Sequence, residues 1–277
     1  MTEPKIDLHI HSHFSDGTLS PEELVQACRR AGVSHLSLTD HDALEGLPAM
    51  LREGESSGMN VLGGVEINTR DGDQIHMLGY GIRAEDELLA ERLRRFRSRR
   101  QERIHQILGK LRALNIPLEF EEVRGMGRQS LGRPHVADAL RMKKVVSSRE
   151  QAFRRYLMKG RPAYVPPLGP SLQEAVETIL EAGGIPVLAH AGLVRDCSLL
   201  ERLVEMGLMG LEVYYPLHTS AQTRKLLEFA ASHRLLVTGG SDFHGPGTSH
   251  EEFVCCEVPF SVWERLQEAL ATLPGKS

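Results

Sequence analysis

The sequence has few aromatic residues and no long apolar run. Only 5% of its 277 residues are aromatic, and a single tryptophan is present. No stretch approaches the ~18 consecutive apolar residues that a membrane-spanning helix needs, so we expect no membrane partner. The contents of 41% hydrophobic and 25% charged residues are typical of a globular protein with a sizeable core.

Cysteine motifs and a strong charge excess are also absent. Cys28, Cys197, Cys255 and Cys256 show neither C-x-x-C nor zinc-finger spacing, which favours reduced thiols. The first predicted strand begins without the apolar stretch of a signal peptide. We therefore expect a cytoplasmic protein. A net charge of −4 argues against a protein that coats nucleic acid, although it allows a local basic site.

Strand and helix patterns alternate over residues 1–85 and again over 163–277. Between them, residues 87–114 have the apolar spacing of one long helix, and shorter helical segments follow to about residue 159. This order predicts an α/β domain in two parts, with a helical insertion domain over residues 86–162.

The segment His9-Ile10-His11 is the first candidate for a functional motif. The two histidines follow a strand pattern at i and i+2, so their side chains share one face, and Asp16 follows in the next turn. Such a set has the geometry of a metal site at the point where a strand ends. A solvated polar turn would explain a single H-x-H equally well, so the rest of the chain decides.

Further candidate ligands occur where later strands are predicted to end. They are Asp40 and His41 after the second strand, Glu66 in the third, His76 within or beyond the fourth, His190 at the fifth, and Asp242 and His244 after the seventh. In β/α barrels the catalytic face lies at the carboxyl ends of the strands, so these residues converge if a barrel closes. One histidine alone is usually structural, but a whole set placed by the same rule predicts a metal centre.

The chemistry of these ligands indicates the ions. Imidazole and carboxylate without thiolate suit manganese, zinc or iron better than a soft metal. The ligands outnumber those of one tetrahedral ion, so we predict two to three divalent ions, with Mn²⁺ favoured over Zn²⁺ or Fe²⁺. Paired ions suit phosphate-ester hydrolysis, because they can activate a water and hold both the attacking and the leaving oxygen.

Together the motifs resemble those of the polymerase and histidinol phosphatase (PHP) family. The matching segments are Asp7-Leu8-His9-Ile10-His11-Ser12, Ser15-Asp16-Gly17, Thr39-Asp40-His41, Gly64-Val65-Glu66, Ala189-His190 and Ser241-Asp242-Phe243-His244. The resemblance implies a distorted (β/α)7 barrel that holds three metal ions. It also implies three ligand groups: His9, His11, Glu66 and Asp242; Asp16, His41 and His244; and Glu66 again with His76 and His190.

Arginines crowd the long helix and indicate the substrate. Seven of them lie between positions 92 and 103, and arginine offers a bidentate fork for phosphate. The predicted substrate contacts on this helix are Arg97, Arg99, Arg100 and Arg103. For each of them the alternative is a solvated basic face.

The insertion also resembles, in position and size, that of PHP proteins that hydrolyse nucleotide phosphates. This branch includes the nucleoside 3′,5′-bisphosphate phosphatases and the 5′→3′ exoribonucleases. The segment Gly132-Arg133-Pro134-His135 is a second resemblance to it, and it implies that Arg133 or His135 meets a phosphate or the base. A helix N-terminus at this point would also favour an anion.

Several other histidines need an interpretation. His218, beyond the predicted sixth strand, is a candidate for protonating the leaving group, with a surface-loop histidine as the alternative. His13 lies between ligand positions, and a substrate role there stays open. The structural interpretation is favoured for His35, His105, His233 and His250.

The leading hypothesis is a metal-dependent phosphoesterase that acts on nucleotides. Its substrate would be the 3′-phosphate of a nucleoside 3′,5′-bisphosphate, the 5′ end of a short RNA, or both, and no obligate protein partner is evident. A phosphatase for a small metabolite such as histidinol phosphate is the alternative within the same class. A non-catalytic metal-binding PHP module and a metal-dependent deacylase on a related barrel are the alternatives from other classes.

Overall fold

The computed structural model describes residues 4–127, 129–194, 196–253 and 257–273. Its centre is a seven-stranded sheet in which the strands are neighbours in the order of the sequence. The strands are β1 Lys5–Ile10, β2 Val33–Leu38, β3 Asn60–Asn68, β4 His76–Tyr80, β5 Ile185–Leu188, β6 Gly210–Tyr214 and β7 Leu236–Gly239. The predicted α/β class is confirmed.

Strand β4 runs antiparallel to both β3 and β5, whereas all the other neighbouring strands are parallel. Residues 69–75 connect β3 to β4, and so short a link cannot make the crossover of a dozen or more residues that parallel strands require. β4 therefore begins where β3 ends. His76 lies within the fourth strand, one of the two positions expected, but at its first residue and not at its carboxyl end; the reversal brings it to the same end of the sheet as the other ligands.

The sheet curls until its outer strands β1 and β7 meet. The Asp7 carboxylate accepts hydrogen bonds from the backbone N–H and the hydroxyl of Ser241, at 2.9 and 2.5 Å. The His11 N–H donates to the Phe243 carbonyl at 2.9 Å. A Cβ at Gly240 would lie 2.5 Å from the backbone nitrogen of His9, so only glycine allows this approach. The result is the distorted barrel that the sequence predicts, with one strand reversed.

Helices either pack on the outside of the sheet or form the helical segment, residues 86–162. They are α1 Pro21–Ala31, α2 Leu47–Ser56, α3 Glu87–Ala113, α4 Phe120–Arg124, α5 Arg133–Met142, α6 Arg149–Ala152, α7 Leu172–Glu181, α8 Cys197–Glu205, α9 Ser220–His233 and α10 Phe260–Thr272, with a π-helical turn at Phe153–Leu157 and a 3-10 turn at Ala191–Leu193. Ser20 and Gly32 are typical residues for the start and end of a helix, and here the Ser20 side chain caps the start of α1 and Gly32 ends it at φ 78°.

Helix α3 joins two hydrophobic cores. Leu89, Leu93 and Phe96 pack in the core between the sheet and its helices. Ile104 and Ile107, two turns further on, pack in a separate core formed by the helical segment, residues 86–162. Each such buried side chain contributes roughly 1.5–3 kcal/mol, so both ends of α3 are held. The predicted domain boundaries remain a prediction.

The pattern of residues 253–258 predicts a further strand. Residues 254–256 lie outside the described residues, and residues 253, 257 and 258 are not in a strand. Among the described residues, no helix has the length and apolar character needed to cross a membrane.

Candidate metal centre

The nine predicted ligands converge at one end of the barrel, around the carboxylate of Glu66. Glu66 lies on β3 with 1% of its surface exposed. Its Oε2 lies 3.3 Å from His9 Nε2 and 3.2 Å from His11 Nε2. Asp242 Oδ1 lies at the same two distances from these nitrogens. The ligand atoms of a tetrahedral ion with bonds of about 2.1 Å are about 3.4 Å apart, so these four atoms fit around one ion.

The other predicted ligands surround this group. His244 Nε2 lies 3.2 Å from Asp16 Oδ1, and His41 Nε2 lies 3.7 Å from Asp16 Oδ2. The remaining contacts are to Glu66: His41 Nδ1 at 3.0 Å from Oε2, and His76 Nδ1 and His190 Nε2 at 2.9 and 3.3 Å from Oε1. Among the residues that the structure describes, three groups could hold an ion: His9, His11, Glu66 and Asp242; His11, Asp16, His41 and His244; and His41, Glu66 and His76.

Unsatisfied atoms show that this cluster is able to bind metal. Buried polar groups are nearly always hydrogen-bonded. Here His9 Nε2, His11 Nε2, His41 Nδ1, Asp16 Oδ1 and Glu66 Oε2 are buried without a hydrogen-bond partner. All five point into the same cluster, and divalent cations are the partners that imidazole and carboxylate atoms share.

Backbone strain coincides with the cluster. Asp42, His190 and Asp242 have φ values of 50°, 36° and 56°, in the left-handed region that non-glycine residues rarely adopt. Such strain persists only where the surrounding structure enforces it, typically at functional sites.

A cavity of about 1080 Å³ opens onto the cluster, and the helical segment forms its other side. Arg100, Arg103 and Arg133 line it. Arg103 and Arg133 share the carboxylate of Asp73, at 2.6 and 3.1 Å. Arg100 lies 3.5 Å from Asp42 and donates through Nε to the Leu131 carbonyl at 3.0 Å. These contacts hold three guanidinium groups in place beside the metal ligands.

Comparison with known proteins identifies the family. The PHP domain model matches residues 7–118. The phosphoribosyl 1,2-cyclic phosphate 1,2-diphosphodiesterase of Eggerthella lenta is 34% identical over 250 residues, which cover 86% of this chain and 94% of that protein. The chain belongs to the PHP family.

Two further PHP relatives carry the activities of the predicted branch. The 3′,5′-nucleoside bisphosphate phosphatase of Chromobacterium violaceum is 35% identical over 87% of this chain and 88% of its own length. The 5′-3′ exoribonuclease of Escherichia coli is 33% identical over 87% and 85%. Phosphoric ester hydrolysis is the activity named for all three relatives.

Solved structures agree with the PHP fold. A Bifidobacterium adolescentis protein assigned as a metal-dependent phosphoesterase superposes with a TM-score of 0.86 at 31% identity, covering 96% of both chains. A Chromobacterium violaceum amidohydrolase that contains sulfate and no metal superposes with a TM-score of 0.82 at 33% identity, covering 95% of this chain and 96% of its own.

Two predicted arginines lie outside the cavity of this PHP chain. Arg97 Nη2 pairs with Glu45 at 2.8 Å, and Arg99 pairs with Glu174 through two hydrogen bonds of 3.0 and 3.2 Å. Neither side chain lines the cavity. Both arginines attach α3 to neighbouring elements, so their predicted substrate contacts find no support in the geometry.

The two histidines predicted to touch the substrate are occupied by the backbone instead. His135 Nδ1 accepts the Gly132 N–H at 2.9 Å and its Nε2–H donates to the Ser15 carbonyl at 3.0 Å. His218 Nε2 accepts the Gly192 N–H at 3.0 Å and its Nδ1–H donates to the Val213 carbonyl at 2.8 Å. A neutral ring with both nitrogens engaged cannot protonate a leaving group, and neither ring lines the cavity.

Asp40 is not placed among the ligand groups, although it follows β2 next to His41. Its carboxylate accepts hydrogen bonds from the backbone and hydroxyl of Ser12 at 2.7 and 2.6 Å, and from the Ser15 hydroxyl at 2.6 Å. These bonds fix the loop that carries Asp16.

Sequence reasoning missed residues on two further segments. Tyr215 donates to Asp242 Oδ2 at 3.1 Å, and His250 Nδ1 lies 3.8 Å from the same oxygen. Both line the cavity, so the structural interpretation of His250 is too narrow. Glu212, on β6, is fully buried and accepts from His9 Nδ1 at 3.0 Å and from the His190 N–H at 2.6 Å. A lone acid in the apolar strand Gly210-Leu211-Glu212-Val213 was the available signal.

Electrostatics in the PHP cluster are strongly coupled. Burial alone would raise the pKa of Glu66 and Asp242, but the neighbouring histidines outweigh it and hold both pKa values well below the usual range. Burial lowers the pKa of His9, yet the carboxylates of Glu212, Glu66 and Asp242 outweigh it and raise that pKa well above its usual value. Glu66 and Asp242 are therefore ionised at neutral pH, as metal binding requires.

Replacing Glu212 with glutamine should weaken metal binding about 10- to 100-fold, the usual effect of removing a partner that orients a ligand. The carboxamide can keep one hydrogen bond but not the charge that holds the His9 ring. Metal content after dialysis at stepped free Mn²⁺ measures the change. Glu228→Gln, on the outside of α9, is the control; equal affinity in all three proteins would contradict the orienting role.

Proposed function

We propose that this chain is a metal-dependent phosphoesterase that hydrolyses nucleotide phosphates. Its substrate is the 3′-phosphate of a nucleoside 3′,5′-bisphosphate, the 5′ end of a short RNA, or both. The observation that carries the proposal is the single cavity that joins the ligand cluster to Arg100, Arg103 and Arg133. A substrate with two phosphates can place one at each.

The proposed ligands are the nine residues of the cluster, with Glu66 shared between groups. Two to three ions, Mn²⁺ in preference to Zn²⁺ or Fe²⁺, would supply an activated water and neutralise phosphoryl oxygens. The chain's own residues orient the ligands: Glu212 fixes His9, and Tyr215 donates to Asp242. Support for His76 and His190 comes from their contacts of 2.9 and 3.3 Å with Glu66 Oε1.

Charge balance favours an anion at the arginines. Arg103 and Arg133 share one carboxylate, Asp73, which leaves an excess of positive charge in a partly enclosed space. Burial and the neighbouring Arg133 lower the pKa of Arg103 to about 10, despite the Asp73 carboxylate. Arg103 therefore stays charged at neutral pH, and a substrate phosphate would give the two guanidinium groups a second anionic partner beside Asp73.

A cyclic phosphodiester of a phosphoribose is the second candidate substrate. The E. lenta relative named for that activity is as similar to this chain as the bisphosphate phosphatase. Purified protein loaded with Mn²⁺ should be assayed on nucleoside 3′,5′-bisphosphates, 5′-phosphorylated oligoribonucleotides, the phosphoribosyl cyclic phosphate and histidinol phosphate. The proposal requires that a bisphosphate or oligonucleotide has the highest kcat/KM. A higher kcat/KM on either of the other two would replace it.

Arg100→Met should raise KM for a nucleoside bisphosphate about 10- to 100-fold, the effect of losing a hydrogen bond to a charged group. Turnover of a small aryl phosphate should change less than about threefold, since that ester reaches only the ligand cluster. Arg99→Met is the matched control on the same helix, because Arg99 pairs with Glu174 outside the cavity.

Arg133→Met is a second test of the phosphate site. It is needed because Arg100→Met also removes the counter-ion of Asp42, which could lower KM-independent properties such as folding. Melting temperatures show whether each variant is folded. Equal losses on the bisphosphate and the aryl phosphate would contradict the arginine site.

The cytoplasmic location and the absence of an obligate protein partner stay predictions.

A further inference from the structure

Exposed apolar side chains line part of the cavity. Met158 and Leu217 are 48% and 60% exposed, and both are among its lining residues, together with Phe153, Leu168 and Leu193. We call these five residues the apolar wall. Large apolar side chains that face a cavity beside charged groups are typical of ligand sites, and the metal centre gives no role to them.

The chain holds part of this wall in a fixed arrangement. Leu193 ends the 3-10 turn after β5, and Leu217 lies in the loop after β6. His218, in the loop after β6, accepts the Gly192 N–H of the 3-10 turn and donates to the Val213 carbonyl of β6, so it links the two segments. A Cβ at Gly192 would lie 2.8 Å from the His218 ring, so the contact depends on glycine. His218, a candidate for protonating the leaving group, thus links the backbone segments that carry Leu193 and Leu217.

Phe153, one of the five residues of the wall, adjoins the arginine site. The Arg133 guanidinium carbon lies 5.4 Å from the centre of the Phe153 ring, within the range of a cation–π contact. The same Arg133 pairs with Asp73 in the group proposed to receive a phosphate. An apolar and an anionic part of one ligand would therefore lie side by side.

We propose that the apolar wall binds the heterocyclic base of the substrate, and so selects nucleotides over base-free sugar phosphates. This inference rests on the proposed function. Bases stack and pack on apolar and aromatic side chains with little dependence on sequence, which suits a site that accepts different nucleotides. The cavity of about 1080 Å³ has room for a base beyond the two phosphates.

Substrate preference tests the proposal. Adenosine 3′,5′-bisphosphate and base-free ribose 3,5-bisphosphate are compared with Mn²⁺, using wild type, Met158→Ser and Leu217→Ser. We expect wild type to prefer the nucleotide by at least about tenfold in kcat/KM. Each variant should lose most of that preference through KM on the nucleotide alone. Met142→Ser is the matched control, since Met142 is 67% exposed and does not line the cavity.

A binding experiment separates this inference from the proposed function. Calorimetry compares adenosine 5′-monophosphate with ribose 5-phosphate on the same proteins. If no phosphate ester is hydrolysed but the mononucleotide binds about tenfold tighter and Leu217→Ser removes the difference, the wall is right and the proposed function wrong. Equal binding or equal turnover of the two compounds by wild type, or equal losses on both in the variants, would overturn the base site. If Met158→Ser and Leu217→Ser lose equally on both compounds and also change the oligomeric state, the apolar wall is an interface between two copies of the chain and not a base site.

Discussion

Replacing Glu66 with glutamine is expected to lower kcat by at least about a thousandfold, some 4 kcal/mol of transition-state stabilisation. One carboxylate lies within 3.3 Å of ligand nitrogens from His9, His11, His41, His76 and His190. Glutamine keeps the shape but removes the charge and one of the two acceptor oxygens. Bound metal, measured by elemental analysis, should fall together with activity.

Two controls make the Glu66 result specific. Glu45→Gln removes a carboxylate that pairs with Arg97 outside the cluster, and its metal content and kcat should stay within about twofold, because such partly exposed pairs contribute little. Circular dichroism and melting in the presence of a chelator compare the metal-free folds. A Glu66→Gln enzyme that retains wild-type metal content would disprove the shared-ligand role.

The positions of most candidate ligands could be predicted from the sequence. A histidine or carboxylate that follows a strand pattern lies at the carboxyl end of that strand. Once a parallel β/α order is recognised, this local pattern is sufficient to place the side chain at the catalytic end of the sheet. His9, His11 and His190 were placed at one end of the sheet in this way. The distances within the cluster were beyond prediction, because they depend on how far the sheet curls.

The direction of β4 could have been inferred but was not. Residues 77–80 are all buried, and a continuous buried run reads the same in both directions, so this strand pattern gives no direction. The connection 69–75 does carry the information, because a link of that length fits a hairpin and not a crossover. His76 reaches the cluster for this reason.

The arginines show what a helix pattern cannot reveal. A stripe of guanidinium groups on α3 predicts a basic face, yet most of the acids that pair with it come from distant parts of the chain, and only Glu91, beside Arg95, lies on the same helix among the described pairs. Arg99 meets Glu174 of α7, whereas Arg103 meets Asp73 of the loop after β3. Only the three-dimensional arrangement distinguishes an arginine that supports the fold from one that lines the cavity.

Removing the divalent metal should lower the melting temperature by about 5–10 °C at pH 8. Saturation at one hundred times the dissociation constant stabilises a protein by about 2.7 kcal/mol, and each kcal/mol shifts the melting temperature of a 150–250-residue domain by about 2–4 °C. Scanning fluorimetry with and without a chelator measures the difference. Re-addition of Mn²⁺ should restore the original value.

The effect of metal removal should grow with pH. Burial would lower the pKa of His11, but Asp242 and Glu66 outweigh it and raise that pKa from 6.5 to about 10 in the metal-free protein. This raised pKa gives stability that is complete below about pH 6.5 and is lost as the pH rises through about 10. The free energy of unfolding of the metal-free protein should therefore fall as the pH rises from about 6.5 to about 10.

The metal-bound protein responds in the opposite direction, because a coordinating imidazole must be neutral and metal binding releases the proton. Affinity for Mn²⁺ should rise from pH 6 to pH 9, and the melting curves with and without metal should separate further over the same range. Calorimetry of Mn²⁺ binding at pH 7 in two buffers of different ionisation enthalpy counts the released protons. A difference in melting temperature that shrinks as the pH rises, or Mn²⁺ binding without proton release, would show that the ion does not displace a proton from His11.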